Sequence, residues 1–397
     1  MFVLYLVVFI GLTGVGIIVP LFPFFGEQVG ASPAEITMLM AVFALGQFIA
    51  APFWGQWSDR VGRKPIFIIT LAGSAVAYVL LGLAETVPEL LFSRLVGGLM
   101  AGNIPVAFAA AADVTSGKDR SMIMGRVGAA FSLGFIFGPA IGGLLAGPAP
   151  TAEDFLLIAL LAAGLCLFAV LVTVFLFKET HPVSNRSAKL VSMRLISLKG
   201  VARYLTWPVL GALIGVNFIF VAGSSMMDST FALYASKEHG FGPTDIGFLF
   251  TYMGVIMAIV QGGAIGPLTK RFGDAPVLRL GILFYITGLG FMIVASGLYS
   301  VLLALTFLTV GIALFVPASS SLASQHAPGS EQGAALGAFQ AAGNLGRVLT
   351  PTVSGMIFST YGTAAPFMVA IALMLPTFFL VRIAIAQSNL IKTESAL

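Results

Sequence analysis

Three ionisable side chains lie deep inside apolar runs, where charge is costly enough to be kept mainly for function. Arg94 follows "PELLFS", Asp228 sits in "SSMMDSTFALY" and Arg347 in "GNLGRVLTP". By helical rise, Arg94 and Asp228 fall about two turns from one end of their runs, and Arg347 falls near the middle. Asp228 is the only acid far from a boundary. A carboxyl with little water around it can take up and release a proton, so Asp228 is the candidate proton carrier. A structural ion pair with an arginine is the alternative. Arg347 stays charged and presents five donors in a planar fork. It needs a partner, either Asp228 or an acidic group on a bound molecule. Arg126 lies close enough to Arg120 to snorkel to a surface.

The other polar residues within the runs are Gln47, Asn103, Asn217, Gln261, Gln340 and Asn344, and Phe131, Phe220, Tyr252 and Phe315 add aromatic surface. With Arg347, the set Gln47, Asn103, Phe131, Asn217, Phe220, Tyr252, Phe315, Gln340 and Asn344 suits an adaptable apolar pocket with a few orienting groups. The competing reading of any one aromatic is packing, since the chain holds 34 Phe. The histidines, His181, His239 and His326, fall in separate hydrophilic stretches, so no metal site is expected. No G-x-x-x-x-G-K-[ST] segment occurs, which excludes a P-loop nucleotide-driven pump, and no cofactor is expected.

These residues are carried by a chain built for lipid. Of its 397 residues 58% are hydrophobic and only 9% charged, against about a quarter charged in soluble domains. Twelve apolar runs are long enough to cross a bilayer: 2–25, 35–58, 66–84, 89–112, 121–147, 153–177, 205–234, 243–268, 276–296, 299–325, 332–360 and 364–386. Lipid offers no partner to unpaired backbone groups, so the runs are expected to be helices. The first lacks a basic leader and a cleavage site and is read as a helix rather than a signal peptide. The single cysteine, Cys166, excludes an internal disulfide.

Basic residues gather after even-numbered runs: Arg60, Arg63 and Lys64; Lys118 and Arg120; Lys178, Arg186, Lys189, Arg194, Lys199 and Arg203; Lys270 and Arg271. After odd-numbered runs stand Glu27, Glu85, Glu153, Asp154 and Glu238, with Lys237 the basic exception. Positive charge stays cytoplasmic, which predicts both termini inside. The net charge of +4 is thus an orientation signal, and the partners expected are a lipid bilayer and not nucleic acid.

The hydrophilic stretch 178–204 divides the chain into an N-terminal bundle, 1–177, and a C-terminal bundle, 205–397. "SPAEI" at 32–36 recurs as "GPTDI" at 242–246, and "GQWSDRVG" at 55–62 weakly as "GPLTKRFG" at 266–273. Pro105, Gly125, Gly134, Pro139 and Gly143 each find the same residue 212 positions later, at Pro317, Gly337, Gly346, Pro351 and Gly355. Parallel six-helix repeats of this kind put a binding site between the halves near the midplane.

The loop "GQWSDRVGRK" resembles the signature loop of the major facilitator superfamily at Gly55, Asp59, Arg60, Gly62, Arg63 and Lys64. "GIIVPLFP" (16–23), "RLVGGLMAG" (94–102) and "GFIFGPAIGG" (134–143) resemble the helix 1, 4 and 5 patterns of its drug:proton antiporter branch, so the resemblance spans the chain. It implies an all-α fold of twelve transmembrane helices in two bundles, and a non-enzymatic, proton-coupled exporter of small amphipathic molecules. Such a protein would sit as a monomer in a bacterial cytoplasmic membrane. A proton-coupled importer with the same fold is the alternative. The resemblance further implies a coupling role for Arg94 beside Asp228. It implies a cytoplasmic latch of Gly55, Asp59, Arg60, Gly62 and Arg63, facing Asp113. It also implies a closing seam between the halves, formed by Gly134, Gly138, Pro139, Gly142 and Gly143 against helix 8 or 10; tight packing alone is the competing reading. Where tetracycline pumps carry acids in helices 1, 3 and 9, this chain has Gly11, Ala77 and Tyr285, which argues against tetracycline.

Overall fold

A computed structural model describes residues 2–114, 119–148, 150–181, 203–327 and 332–394. The helices are α1 (Phe2–Gln28), α2 (Pro33–Val61), α3 (Arg63–Gly82), α4 (Val87–Asp113), α5 (Asp119–Ala146), α6 (Ala152–Leu176), α7 (Pro208–His239), α8 (Pro243–Phe272), α9 (Asp274–Ile293), α10 (Leu298–Gln325), α11 (Gln332–Tyr361) and α12 (Ala365–Glu394). Ten stretches among the described residues, in α1 to α10, are long and apolar enough to span a bilayer. Basic residues Lys118, Arg186, Lys189, Arg194 and Lys199 of the expected orientation signal lie outside the described residues.

The helices start where local chemistry can satisfy their first amides. Those amides have no partner inside the helix, and acids placed near them also complement the helix dipole. Glu35 accepts from the amide of Ser32 at 2.8 Å, Glu89 from that of Thr86 at 3.2 Å, Asp154 from that of Thr151 at 2.8 Å and Asp245 from that of Gly242 at 3.0 Å. The first-turn acids of α2, α4, α6 and α8 therefore build helix starts, and Asp154 among them also belongs to the acidic side of the charge pattern. The recurring "SPAEI" and "GPTDI" are two copies of one cap.

The second recurring segment is a two-fold copy as well. Gly62 ends α2 at φ 103° and Gly273 ends α8 at φ 80°, a region open to glycine and strained for other residues. Their amides return to the carbonyls of Ser58 and Thr269 at 3.0 and 2.9 Å, and the next helix begins at once. In such a turn any side chain would strain the reversal that connects α2 to α3.

Two compact units result, Met1–Leu195 with Gly240–Gly254, and Ile196–His239 with Val255–Leu397. Inside the first, α1 packs on α5 and α6, and α3 on α4 and α6. Inside the second, α7 packs on α11 and α12, and α9 on α10 and α12. These four pairings recur in the two units at an offset of six helices, whereas the packing of α2 on α4 has no equal between α8 and α10. Each unit is held by close packing: on α6, Phe155, Ile158, Ala162 and Cys166 are buried, while Leu157, Leu161, Phe168 and Phe175 stay exposed.

Glycine lets the backbones touch, as membrane helices require. Side-chain carbon added to Gly138 would stand 2.7 Å from the Cα of Gly16, and carbon added to Gly134 would stand 2.8 Å from Leu12. At Gly142 it would run into the carbonyl of Ile17. The second unit repeats the device, with Gly346 against Ala222 of α7. We predict that Gly138→Leu pushes α5 off α1 and costs about 1–3 kcal/mol or more of overpacking. A lowered thermal midpoint of the detergent-purified variant checks this; an unchanged midpoint contradicts it.

Candidate functional site

The second unit brings four of the expected polar residues together. Gln340, Asn344 and Arg347 are spaced i, i+4, i+7 and so share one face of α11. With Asn217 of α7 they line a cavity of about 90 Å³, joined by Ser319 and Ser320 of α10 and by Val221, Val316, Phe339 and Gly343. Gly343 makes the closeness possible, because carbon added there would stand 2.8 Å from the Asn217 amide nitrogen. Asn217 is 5% exposed and donates to the Phe339 carbonyl at 2.8 Å, which fixes its amide. Arg347, Gln340 and Asn344 are exposed, line the cavity, and make no hydrogen bond or ion pair among the described residues.

Asp228 lies on the same face of α7 as Asn217, eleven residues or about 16 Å along the axis. It is exposed, although Met226, Met227, Ser229 and Thr230 around it are buried. No salt bridge joins it to Arg347, yet the guanidinium acts on it electrostatically, and Asp228 acts on the Tyr285 hydroxyl. The alternative of a direct Asp228–Arg347 ion pair is therefore not met in this structure. Phe220 and Phe315 stack at 3.6 Å, with Tyr285 5.0 Å from Phe220. At 1% and 0% exposure the two phenylalanines are core, not cavity wall, so packing wins over the expected pocket surface.

In the first unit Arg94 is 3% exposed, and its Nε and Nη2 have no hydrogen-bond partner. Its guanidinium stands 4.8 Å from the Phe22 ring centroid and 5.8 Å from that of Phe43. The cavity beside it, about 10 Å³ and lined by Val15, Phe43, Ser74, Ala77, Tyr78, Gly97 and Ala101, is of the order of one water. Ring faces attract the cation but leave its N–H groups unused.

The remaining expected pocket residues of this unit do structural work. α4 breaks at Gly102–Asn103 ahead of Pro105, and Gln47 donates to the Ala101 carbonyl at 3.3 Å while Asn103 donates to Thr70 at 2.8 Å. Both amides tie the break to its neighbours. Phe131 stacks on Phe108 at 5.8 Å. Tyr252 is half-buried on α8.

The expected seam divides into two faces. Gly134, Gly138 and Gly142 sit against α1, as above, so their stripe is packing within the unit. The neighbouring face of α5, carrying Ile136, Pro139 and Gly143, meets α8. Carbon added to Gly247 would stand 2.5 Å from the Pro139 carbonyl. Thr244 donates to the Gly143 carbonyl at 2.8 Å and Thr251 to that of Ile136 at 3.1 Å. Pro139 has no amide to give the Phe135 carbonyl, and the Thr251 hydroxyl reaches the next carbonyl of that turn, Ile136. Gly247 and Thr251 carry no motif that marks them in sequence, and Thr244 lies in the recurring "GPTDI" without that repeat saying what it faces; only the fold shows that they face α5.

The latch residues converge on Arg63, which is 4% exposed. It donates to Asp59 at 2.6 Å, to Asp113 at 2.9 Å and to the Ser58 hydroxyl. Glu179 completes the cluster by accepting from the amides of Arg63 and Lys64 at 2.8 and 3.1 Å, capping α3. Sequence reading missed Glu179 because it stands in the linker, more than a hundred residues from its partners. Arg60 is half-buried, and the space beside Gly55 is open.

The chain matches the family model of the Major Facilitator Superfamily over residues 4–227 and again over 213–394. It belongs to that superfamily. It is similar to "Multidrug resistance protein 2" of Bacillus subtilis (strain 168), 32% identical with 88% of this chain and 86% of the relative covered. It is also similar to "Tetracycline resistance protein, class E" of Escherichia coli, 30% identical with 89% and 86% covered. Among solved structures, the nucleoside transporter NupG superposes with a TM-score of 0.74 at 16% identity, covering 98% of each chain, which bears on the fold alone. The protein is thus a multi-pass transporter of the superfamily rather than an enzyme.

The latch generates a prediction. Asp113→Asn removes one charged acceptor from a nearly buried guanidinium and is expected to cost about 1–3 kcal/mol. Thermal melting of the purified variant checks it, and a midpoint equal to wild type contradicts it.

Proposed function

We propose that the chain is a proton-coupled antiporter that exports small amphipathic molecules from a bacterial cell by alternating access. It crosses the cytoplasmic membrane twelve times as a monomer, with both termini inside. The bundles 1–177 and 205–397, joined by 178–204, are the moving bodies. The observation that carries this reading is Asp228: an acid eleven residues from the nearer end of its helix, exposed, in no salt bridge among the described residues, and within the field of Arg347. It can alternate between protonated and ionised forms without breaking a salt bridge. Arg94, buried without an acid partner, is the second coupling residue. The likeness to multidrug resistance proteins supports the substrate class and direction.

The face of α5 that carries Pro139 and Gly143 is the closing contact, and the Arg63 cluster is the cytoplasmic latch. An importer of this fold would not need the small-residue contact between α5 and α8, and that is where the two readings part. Gly11, Ala77 and Tyr285 leave the substrate open to amphiphiles other than tetracycline.

The test is dye efflux from a drug-sensitive bacterium. Cells expressing the wild type should hold less of a fluorescent amphipathic dye than control cells and should lose that advantage when the proton gradient is collapsed. Asp228→Asn should accumulate dye as controls do while the purified variant still binds it. Expulsion of dye against its gradient by Asp228→Asn would show that the proton carrier lies elsewhere.

A further inference from the structure

We infer that the cavity between α7, α10 and α11 is a head-group subsite for a carboxylate, so that the preferred substrates are acidic or zwitterionic amphiphiles rather than permanent cations. This rests on the export reading for its biological setting but concerns binding, which can be measured without transport.

The cavity presents one guanidinium, three side-chain amides and two serine hydroxyls, and no carboxylate. Arg347 contributes the only formal charge on that wall. Its donors are unspent, since it makes neither a hydrogen bond nor an ion pair within its unit. Asp228 acts on it at a distance but does not line the cavity. A planar fork of N–H donors matches the two oxygens of a carboxylate, and charge-assisted bonds of this kind are the strong ones. Asn344 and Gln340, also without hydrogen-bond partners among the described residues, stand one and two turns away on the same face and can donate from their amide nitrogens. Asn217 is held in place by the Phe339 carbonyl, so that wall is set before anything binds.

Size agrees. About 90 Å³ is several times the ~10–15 Å³ that admits one water, which is room for a carboxylate with its first carbon. Val221, Val316 and Phe339 give the apolar walls for that carbon. A quaternary ammonium group offers no donor to the amide oxygens and would face Arg347 with like charge. An amphiphile bearing both signs would satisfy Arg347 with its acid.

The experiment compares naphthylacetate with naphthylmethyl-trimethylammonium, which share a ring and differ in charge. Binding to purified protein in nanodiscs is read from ligand-induced thermal stabilisation. Wild type is expected to bind naphthylacetate more tightly than the ammonium compound. Arg347→Gln should weaken naphthylacetate by about tenfold or more. Arg347→Lys keeps the charge but loses the fork and should fall between. If Arg347→Gln fails to fold, Arg347→Lys and Asn344→Ala carry the test, each expected to weaken naphthylacetate more than the ammonium compound. Equal binding of the two compounds by wild type overturns the inference, as does naphthylacetate binding unchanged in every folded variant. Carboxylate binding that depends on Arg347, with neither compound exported from vesicles, would uphold the subsite and contradict the export reading instead.

Discussion

Water is absent from the hydrocarbon core, so each buried amide, hydroxyl and charge must find its partner inside the chain. Much of this protein is arranged to meet that demand. The break in α4 is tied by Gln47 and Asn103, the disturbed turn of α5 around Pro139 is served by Thr251, and the Ala222 carbonyl of α7 accepts from Thr350 at 3.0 Å. Threonines and serines elsewhere return their hydroxyls to carbonyls of their own helix, as Thr70, Thr173 and Thr230 do. Arg63 is almost buried and has three side-chain acceptors around it.

Against that background the unsatisfied groups stand out. Arg94 in the first unit is buried with two of its nitrogens unmet, an expensive state for a charge in low dielectric. In the second unit Asp228, Gln340, Asn344 and Arg347 are exposed and make no hydrogen bond or ion pair among the described residues. Their persistence has a physical explanation if their partners are mobile: a proton for Asp228, and a substrate's acid for Arg347. The two units also divide the labour. In the first, the irregular turns and the glycine contacts are closed by neighbours. In the second, a cavity is left open with donors facing it.

Much of the fold was legible in the sequence. Apolar run lengths placed the helices, and the offset of 212 residues between glycines and prolines matches helix pairings that recur six helices later, although Gly240–Gly254 groups with the first unit. The caps Ser32–Glu35 and Gly242–Asp245, and the turns at Gly62 and Gly273, show why those segments recur: each is a backbone device with few chemical solutions. The site was legible where charge had to be explained, at Arg94, Asp228 and Arg347. It was not legible for aromatic residues, since Phe220 and Phe315 differ from other phenylalanines only by tertiary neighbours. The stripe of Gly134, Gly138 and Gly142 was visible, but a stripe does not say which helix it meets. Here α1 takes it, and the adjacent face with Pro139 and Gly143 meets α8. Ser319 and Ser320 went unmarked because serine is common in membrane helices and only the cavity singles them out.

The central claim is that a proton moves against the substrate through Asp228. Proton flux in reconstituted liposomes tests it most directly, with a pH-sensitive dye trapped inside and an amphipathic substrate presented to one face. The account predicts that substrate entering the liposome drives protons out, and that the flux disappears in Asp228→Asn while substrate still binds. Substrate movement with no proton flux, or with protons travelling in the same direction as the substrate, would contradict it.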